Sequence, residues 1–329
     1  MAFAVTGHGP PLVVVPGWLS HLELDWAIGP ERAFYEALSS GRTLVRYDRP
    51  GCGLSDPFEG PRSMASEIAV VRAVTTAIGV DRFDLFGWSL GAPVAAHWAA
   101  EHPETVTRLV LYGGWITGSA IGDPDSRRHV LGLLQSHWGL GSDLLTDVFA
   151  PDADARSRRA LAQYQRASST AGTAAAMLRL AYDLDVSGSL SRINTPTLVL
   201  HRDRDRAAPL AQGRELARGI PSARFVELKG RSHLPAFGDA QVIVDQVRQF
   251  LGLSKLRRRS GRTGLTERQH EVAALVANGL TNREIADRLT ISERSAESHV
   301  ERIRLRLGFR SRAQVAAWFV TAGADDPAG

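Results

Sequence analysis

Through the first three quarters of the chain, short β-branched runs closed by turn residues alternate with longer stretches of helical spacing. Residues 12–15, 43–47, 83–86, 108–112, 197–200 and 224–228 read as buried strands, and their alternation with helical patterns predicts a parallel sheet covered by helices. Between residues 114 and 192 the strand pattern stops. Residues 127–138, 155–167 and 173–182 are instead rich in alanine and leucine at helical spacing, which predicts a helical insertion between two strands. An amphipathic helix over 242–251 closes this part. The polar, basic, glycine-punctuated run 253–264 then predicts a linker, and 322–329 a frayed tail.

From Leu265 the pattern changes to four short capped helices. Thr266-Glu267-Arg268-Gln269 opens the first, whose Val272, Leu275 and Val276 share a face, and Asn278-Gly279 ends it. Thr281-Asn282-Arg283-Glu284 opens a second with Ile285, Ala286 and Leu289 inward. After the tight turn 290–292, Ser292 caps a third with Ala296, Val300, Ile303 and Leu307 inward and Gly308 as its stop. Ser311 opens the last, which carries Val315 and Trp318.

Charge separates the two parts. Of 39 Lys+Arg and 35 Asp+Glu, residues 253–329 hold 14 and 9, leaving 25 and 26 before them, so the small part carries +5 and the large part −1. A basic appendage on a neutral body fits nucleic-acid binding. The single cysteine, Cys52, excludes an intrachain disulfide framework and a multi-thiolate zinc site, and reads as a small apolar filler beside glycines. His21 and Glu23 lie close together without a third ligand at metal spacing, so no metal and no cofactor is expected. The start of the sequence lacks a signal-peptide pattern and no run of 18 apolar residues occurs, so the expected compartment is the cytoplasm, with no membrane partner.

Gly87-Trp88-Ser89-Leu90-Gly91 is a G-x-S-x-G segment, in which two glycines let a serine sit on a sharp strand-to-helix turn. A strand pattern precedes it and a helical one follows, as that turn requires. Downstream, one strand runs into Arg202-Asp203-Arg204-Asp205-Arg206 and Pro209, and the last into Gly230-Arg231-Ser232-His233. With the turn from Asp48 to Asp56, this order resembles the α/β-hydrolase superfamily over about residues 1–252. The resemblance implies a lid at about 115–192, Ser89 as nucleophile, His233 as general base and Asp205 as the carboxylate that orients it. Asp203 is the rival acid. Asp205 is preferred because the family's G-x-x-D with proline four residues later fits Arg202 to Asp205 and Pro209, although Arg202 replaces the glycine. The implied oxyanion hole is the backbone N–H of Leu90 and of Trp18, where Pro16 stands in place of the histidine many relatives carry.

Residues 265–321 resemble the LuxR-type helix-turn-helix, with Leu265-Thr266-x-Arg268, the run from Gly279 to Leu289 and Ser298-His299-Val300 in order. That resemblance implies double-stranded DNA as partner, a homodimer on it, and a third helix entering the major groove. The DNA-facing set would be Thr281, Asn282, Arg283, Ser292, Glu293, Arg294, Ser295, Glu297, Ser298, Glu301 and Arg302. Family members often carry lysine where Glu297 and Glu301 stand. Glutamate accepts from cytosine but repels phosphate.

The fold expected is therefore α/β, an α/β-hydrolase fold with a helical lid, followed by an all-α four-helix LuxR-type domain. The expected function is a DNA-binding transcriptional regulator whose hydrolase-like domain senses a small-molecule ligand or substrate. The alternative is an active serine esterase or lactonase-type hydrolase with an accessory DNA-binding module.

Overall fold

The computed structural model describes residues 1–254, 265 and 267–323. Seven strands form one sheet: β1 (Phe3–Thr6), β2 (Pro11–Val15), β3 (Thr43–Tyr47), β4 (Phe83–Trp88), β5 (Val106–Tyr112), β6 (Thr197–Arg202) and β7 (Ala223–Leu228). Their spatial order is β1-β3-β2-β4-β5-β6-β7. From β3 to β7 all neighbours pair in parallel, and β1 adds to β3 antiparallel, with Phe3 opposite Tyr47 and Thr6 opposite Leu44. The sheet is thus mixed where the sequence predicted a parallel one. β1 has a single neighbour and leaves Phe3 and Val5 41 % and 51 % exposed, so it carries no buried-strand signature. Every residue of central β4 is buried.

Helices α1 (Leu22–Ala27), α2 (Gly29–Ser39), α3 (Met64–Ala77) and α4 (Gly91–Glu101) fill the connections as far as β5. The insertion between β5 and β6 holds α5 (Pro124–Ser136), α6 (Trp138–Phe149), α7 (Ala155–Ser168) and α8 (Ala171–Asp183). One of these, α6, was not foreseen: the helix predicted over 127–138 ends at Ser136, and Trp138 begins another whose Gly139 and Gly141 mask its periodicity. The two ends of the insertion are tied together, Gly118 N–H donating to Leu184 O at 2.8 Å and Val186 N–H to Ile116 O at 2.9 Å. Helices α9 (Leu210–Gly219) and α10 (Ala240–Phe250) complete this unit, Met1–Lys255.

The second unit, Leu256–Gly329, contains α11 (Glu267–Ala277), α12 (Asn282–Leu289), α13 (Glu293–Leu307) and α14 (Arg312–Gly323). Its own core is Leu265, Val272, Val276, Ile285, Ala296, Ile303 and Val315, with other apolar side chains packed around them. Thr281 and Glu284 form a reciprocal capping box and Ser292 caps α13, each cap worth about 1 kcal/mol. Thr290 takes a left-handed φ of 53° between α12 and α13, and Gly308 does the same at 71° after α13. The Thr266 cap, linker residues 255–264 and tail residues 324–329 lie outside the described residues.

Candidate functional site

The turn after β4 forces its own sequence. Ser89 holds a φ of 53°, a conformation side-chain-bearing residues rarely adopt, and lifts its hydroxyl out of the chain between strand and helix. Both flanking glycines are needed for space. A Cβ on Gly87 would lie 2.3 Å from Gly91 O, and one on Gly91 would lie 2.1 Å from Val15 O and 2.6 Å from Pro16 O. A Cβ on Gly17 would meet the Trp88 ring at 2.6 Å. The segment 16–18 therefore lies directly against 88–91, which puts the backbones of Trp18 and Leu90 on adjoining segments beside Ser89.

His233 reaches this turn from the loop after β7. Its Nε2 lies 2.8 Å from Ser89 Oγ, and its Nδ1 lies 2.8 Å from Asp205 Oδ2. The Asp205 Oδ1 accepts from Ala207 N–H at 2.8 Å and Ala208 N–H at 3.2 Å, so both carboxylate oxygens are held. Burial alone would raise the Asp205 carboxyl. The charge and hydrogen bond of His233, with further help from His201 and Ala207, outweigh it and hold Asp205 below the usual carboxylate range. Asp203 turns elsewhere: it accepts from Lys229 Nζ and from Gly230 N–H, each at 3.0 Å.

Two residues that sequence reasoning did not assign support this arrangement. Arg202, 1 % exposed, donates from Nη1 to Ser232 O at 2.7 Å and to Leu234 O at 3.0 Å, the carbonyls on either side of His233, and lies over the Tyr112 ring. His201, fully buried, donates from Nε2 to Ala208 O at 3.0 Å while sitting 3.8 Å from Asp205 Oδ2. Burial lowers its pKa, with the Asp205 charge and the Ala208 hydrogen bond opposing.

Above Ser89 the insertion closes a cavity of about 190 Å³ with walls of Trp18, Trp115, Leu145, Phe149 and Leu178, and Arg127 and Arg206 at its margin. A serine hydroxyl and an imidazole that line an apolar chamber, the imidazole held from behind by a fixed carboxylate, are the parts that acyl transfer uses. Among the described residues no group of three His, Cys, Asp or Glu is placed to hold a metal, and no helix is long and apolar enough to cross a membrane.

In the second unit, the sequence-predicted DNA-facing residues Thr281, Arg283, Ser292, Glu293, Arg294, Ser295, Glu297, Glu301 and Arg302 are exposed, and Ser298 is half-buried. Asn282 is engaged: its Oδ1 accepts from Arg312 Nη1 at 2.7 Å, which ties α12 to α14. Glu301 pairs with Arg304 at 2.8 Å, one turn along α13. Arg304 also donates to Arg310 O at 3.0 Å.

The family model of the alpha/beta hydrolase fold matches residues 10–240. The chain belongs to the α/β-hydrolase fold family. A second model, bacterial regulatory proteins of the luxR family, matches residues 263–319, so this α/β-hydrolase is followed by a LuxR-type helix-turn-helix domain and carries the DNA binding such a domain implies. The chain is similar to pyrrolizixenacetamide deacetylase of Xenorhabdus hominickii, 29 % identical over 258 residues, 76 % of this chain and 94 % of that protein. It is 27 % identical over 261 residues to the pimeloyl-[acyl-carrier protein] methyl ester esterase of Xanthomonas campestris pv. campestris (strain B100), 76 % of this chain and 98 % of that one. Among solved structures, a hydrolase from Pseudomonas aeruginosa PA01 superposes with a TM-score of 0.65 at 25 % identity, covering 76 % of this chain and 93 % of that chain. The enol-lactonase from Burkholderia xenovorans LB400, at 24 % identity and TM-score 0.65 over 76 % of this chain and 96 % of that chain, shares the fold.

Proposed function

We propose that this protein is a DNA-binding transcriptional regulator whose α/β-hydrolase domain receives a small ester- or amide-type molecule and reacts with it at Ser89. The observation that carries the reading is the unbroken hydrogen-bonded chain Ser89, His233, Asp205 in the same polypeptide as a LuxR-type helix-turn-helix. Domains that only bind a ligand on this fold have no need of such a chain. A homodimer on DNA belongs to the same proposal, since one short recognition helix reads few base pairs.

In the proposed reaction His233, held by Asp205 with its proton on Nδ1, takes the Ser89 proton on Nε2 as Oγ attacks the carbonyl carbon. The backbone N–H groups of Trp18 and Leu90 receive the oxyanion. Collapse breaks the bond to the alkoxide or amide nitrogen, which leaves with the proton from His233. Water, deprotonated by the same imidazole, then releases the acid and restores Ser89.

The second reading, a working hydrolase with an accessory DNA module, is favoured by the same intact chain and by the two hydrolytic relatives. One experiment separates them. Purified wild-type and Ser89→Ala proteins are titrated with genomic DNA fragments, and wild type is treated with a fluorophosphonate probe. Labelling at Ser89 together with selective retention of particular fragments supports the regulator. Labelling with only indiscriminate retention supports the hydrolase reading, and no labelling removes Ser89 chemistry from both.

A further inference from the structure

Behind Trp18 and Phe149, whose rings also wall the reaction chamber, lies a second cavity of about 40 Å³. Trp88 and Tyr164 contribute further aromatic surface, and two carboxylates, Asp25 and Glu31, line it. The first carboxylate is already matched. Arg46 Nη1 donates to Asp25 Oδ1 at 2.7 Å, and the guanidinium is committed to the faces of Trp26 and Tyr35 at 4.9 and 4.6 Å. Glu31 is different. It is only 6 % exposed, yet it has no hydrogen bond and no cation within ion-pair distance among the described residues.

A second polar group is open at the same place. Gln165, 4 % exposed, spends its amide N–H groups on Ser142 O at 3.0 Å and Thr146 Oγ1 at 2.7 Å, which fixes the side chain and leaves Oε1 without a donor. Acceptors left without a donor in a closed site are costly, so two around one cavity, against the single open donor Trp88 Nε1 among the described residues, call for an occupant that donates. The aromatic walls favour a positive charge on that occupant. With Glu31 ionised, two carboxylates face one arginine, which leaves room for one more cation.

We propose that this cavity is a binding subsite for a protonated amine carried by the small-molecule ligand of the hydrolase domain, with Glu31 as its counter-ion and Gln165 Oε1 as a further acceptor. This rests on the reading that the domain takes a small molecule and narrows it to amine-bearing ones. The volume suits an ammonium head, which is close to water in size. Burial pushes the Glu31 carboxyl up to about 8, with the neighbouring Asp25 charge adding to the rise and Arg46 opposing it. An arriving cation returns that carboxyl to its ionised form.

The test is equilibrium binding read by intrinsic tryptophan fluorescence, to which Trp18 and Trp88 of the cavity wall contribute, using n-alkylammonium ions of increasing length and the matched n-alkanols, on wild type and Glu31→Gln. Wild type is expected to bind the ammonium ions at least tenfold more tightly than the alcohols, and Glu31→Gln to bring that ratio below twofold. Equal affinity of wild type for both series, or no response to either, would mean that the cavity holds only water and would overturn the proposal. Because the comparison within wild type needs no variant, a misfolded Glu31→Gln cannot hide the outcome. Binding needs no hydrolysis, so a silent Ser89 and a silent Glu31 are told apart.

Discussion

Arg202 grips His233 by the backbone on both sides, donating to Ser232 O and Leu234 O from one nitrogen. No carboxylate lies within ion-pair distance of this buried guanidinium among the described residues, so the two carbonyls and the Tyr112 face are what hold its charge. Gly230 makes the room, since a Cβ there would lie 3.2 Å from the Arg202 side chain. Arg202, where the resemblance to the family leads one to expect glycine, is thus a clamp on the loop that carries His233.

Arg202→Met should therefore slow Ser89 labelling by a fluorophosphonate at least tenfold. Arg202→Lys, which keeps one donor, should recover part of the loss. Leaving two carbonyls unpaired while removing an unmatched cation gives an expected net destabilisation of about 2 kcal/mol. Labelling rates equal to wild type in both variants would show that His233 is positioned without Arg202.

Hydrolysis of a generic activated ester should fall at least about a hundredfold in Ser89→Ala through loss of the nucleophile. Asp205→Asn should be far more damaging than Asp203→Asn, since only Asp205 touches His233. The reverse ranking in steady-state rates would place the acid elsewhere. Spacing in the sequence left both aspartates open, because the choice is made by side chains turning in three dimensions: Asp203 to Lys229, Asp205 to His233.

Stability should carry the mark of Glu31. The folded chain holds that proton up to about 8, whereas an ordinary glutamate loses it near 4.5. Between those values the folded state binds more protons than the unfolded one, so this group costs stability as the pH rises, by up to about 1.4 kcal/mol per pH unit. Chemical denaturation of wild type and Glu31→Gln across pH 5 to 8 isolates the effect, with the variant gaining on wild type as the pH increases. A constant difference would mean that Glu31 is ionised in the folded chain.

On the third helix of the DNA-reading unit, replacing Glu297 and Glu301 by lysine removes two negative charges, and it frees Arg304 from its pair with Glu301. Non-specific DNA affinity should tighten, and its salt dependence should steepen by roughly 0.9 per new phosphate contact. At the specific site a glutamate that accepts from cytosine would be lost, worth about 1–3 kcal/mol. Affinities for both kinds of DNA across a salt series check this. An unchanged non-specific slope would show that this face does not meet DNA.

What the sequence displayed and what it hid follow from the range of the interactions. Strands such as β4 are buried on both faces, so composition alone marks them, and the caps at Thr281 and Ser292 act within one turn. The serine turn was legible because Gly87 and Gly91 are required locally. β1 was not, since its apolar Phe3 and Val5 face outward, and α6 was blurred by its glycines. Long-range contacts leave no local trace. The Arg202 clamp acts across 30 residues, the Arg312 tie to Asn282 likewise, and the acidic cavity joins side chains from α1, α2, β3 and α7.

The most direct test of the regulator reading is a genome-wide binding map of the full chain, made in its native host with wild type and with Ser89→Ala. Wild type is expected to occupy a limited set of discrete sites sharing one sequence motif, and Ser89→Ala to alter occupancy at those same sites. A wild-type map with no enrichment over background, from a protein whose Ser89 is nevertheless labelled by fluorophosphonate, would contradict it and leave a hydrolase whose helix-turn-helix does not regulate.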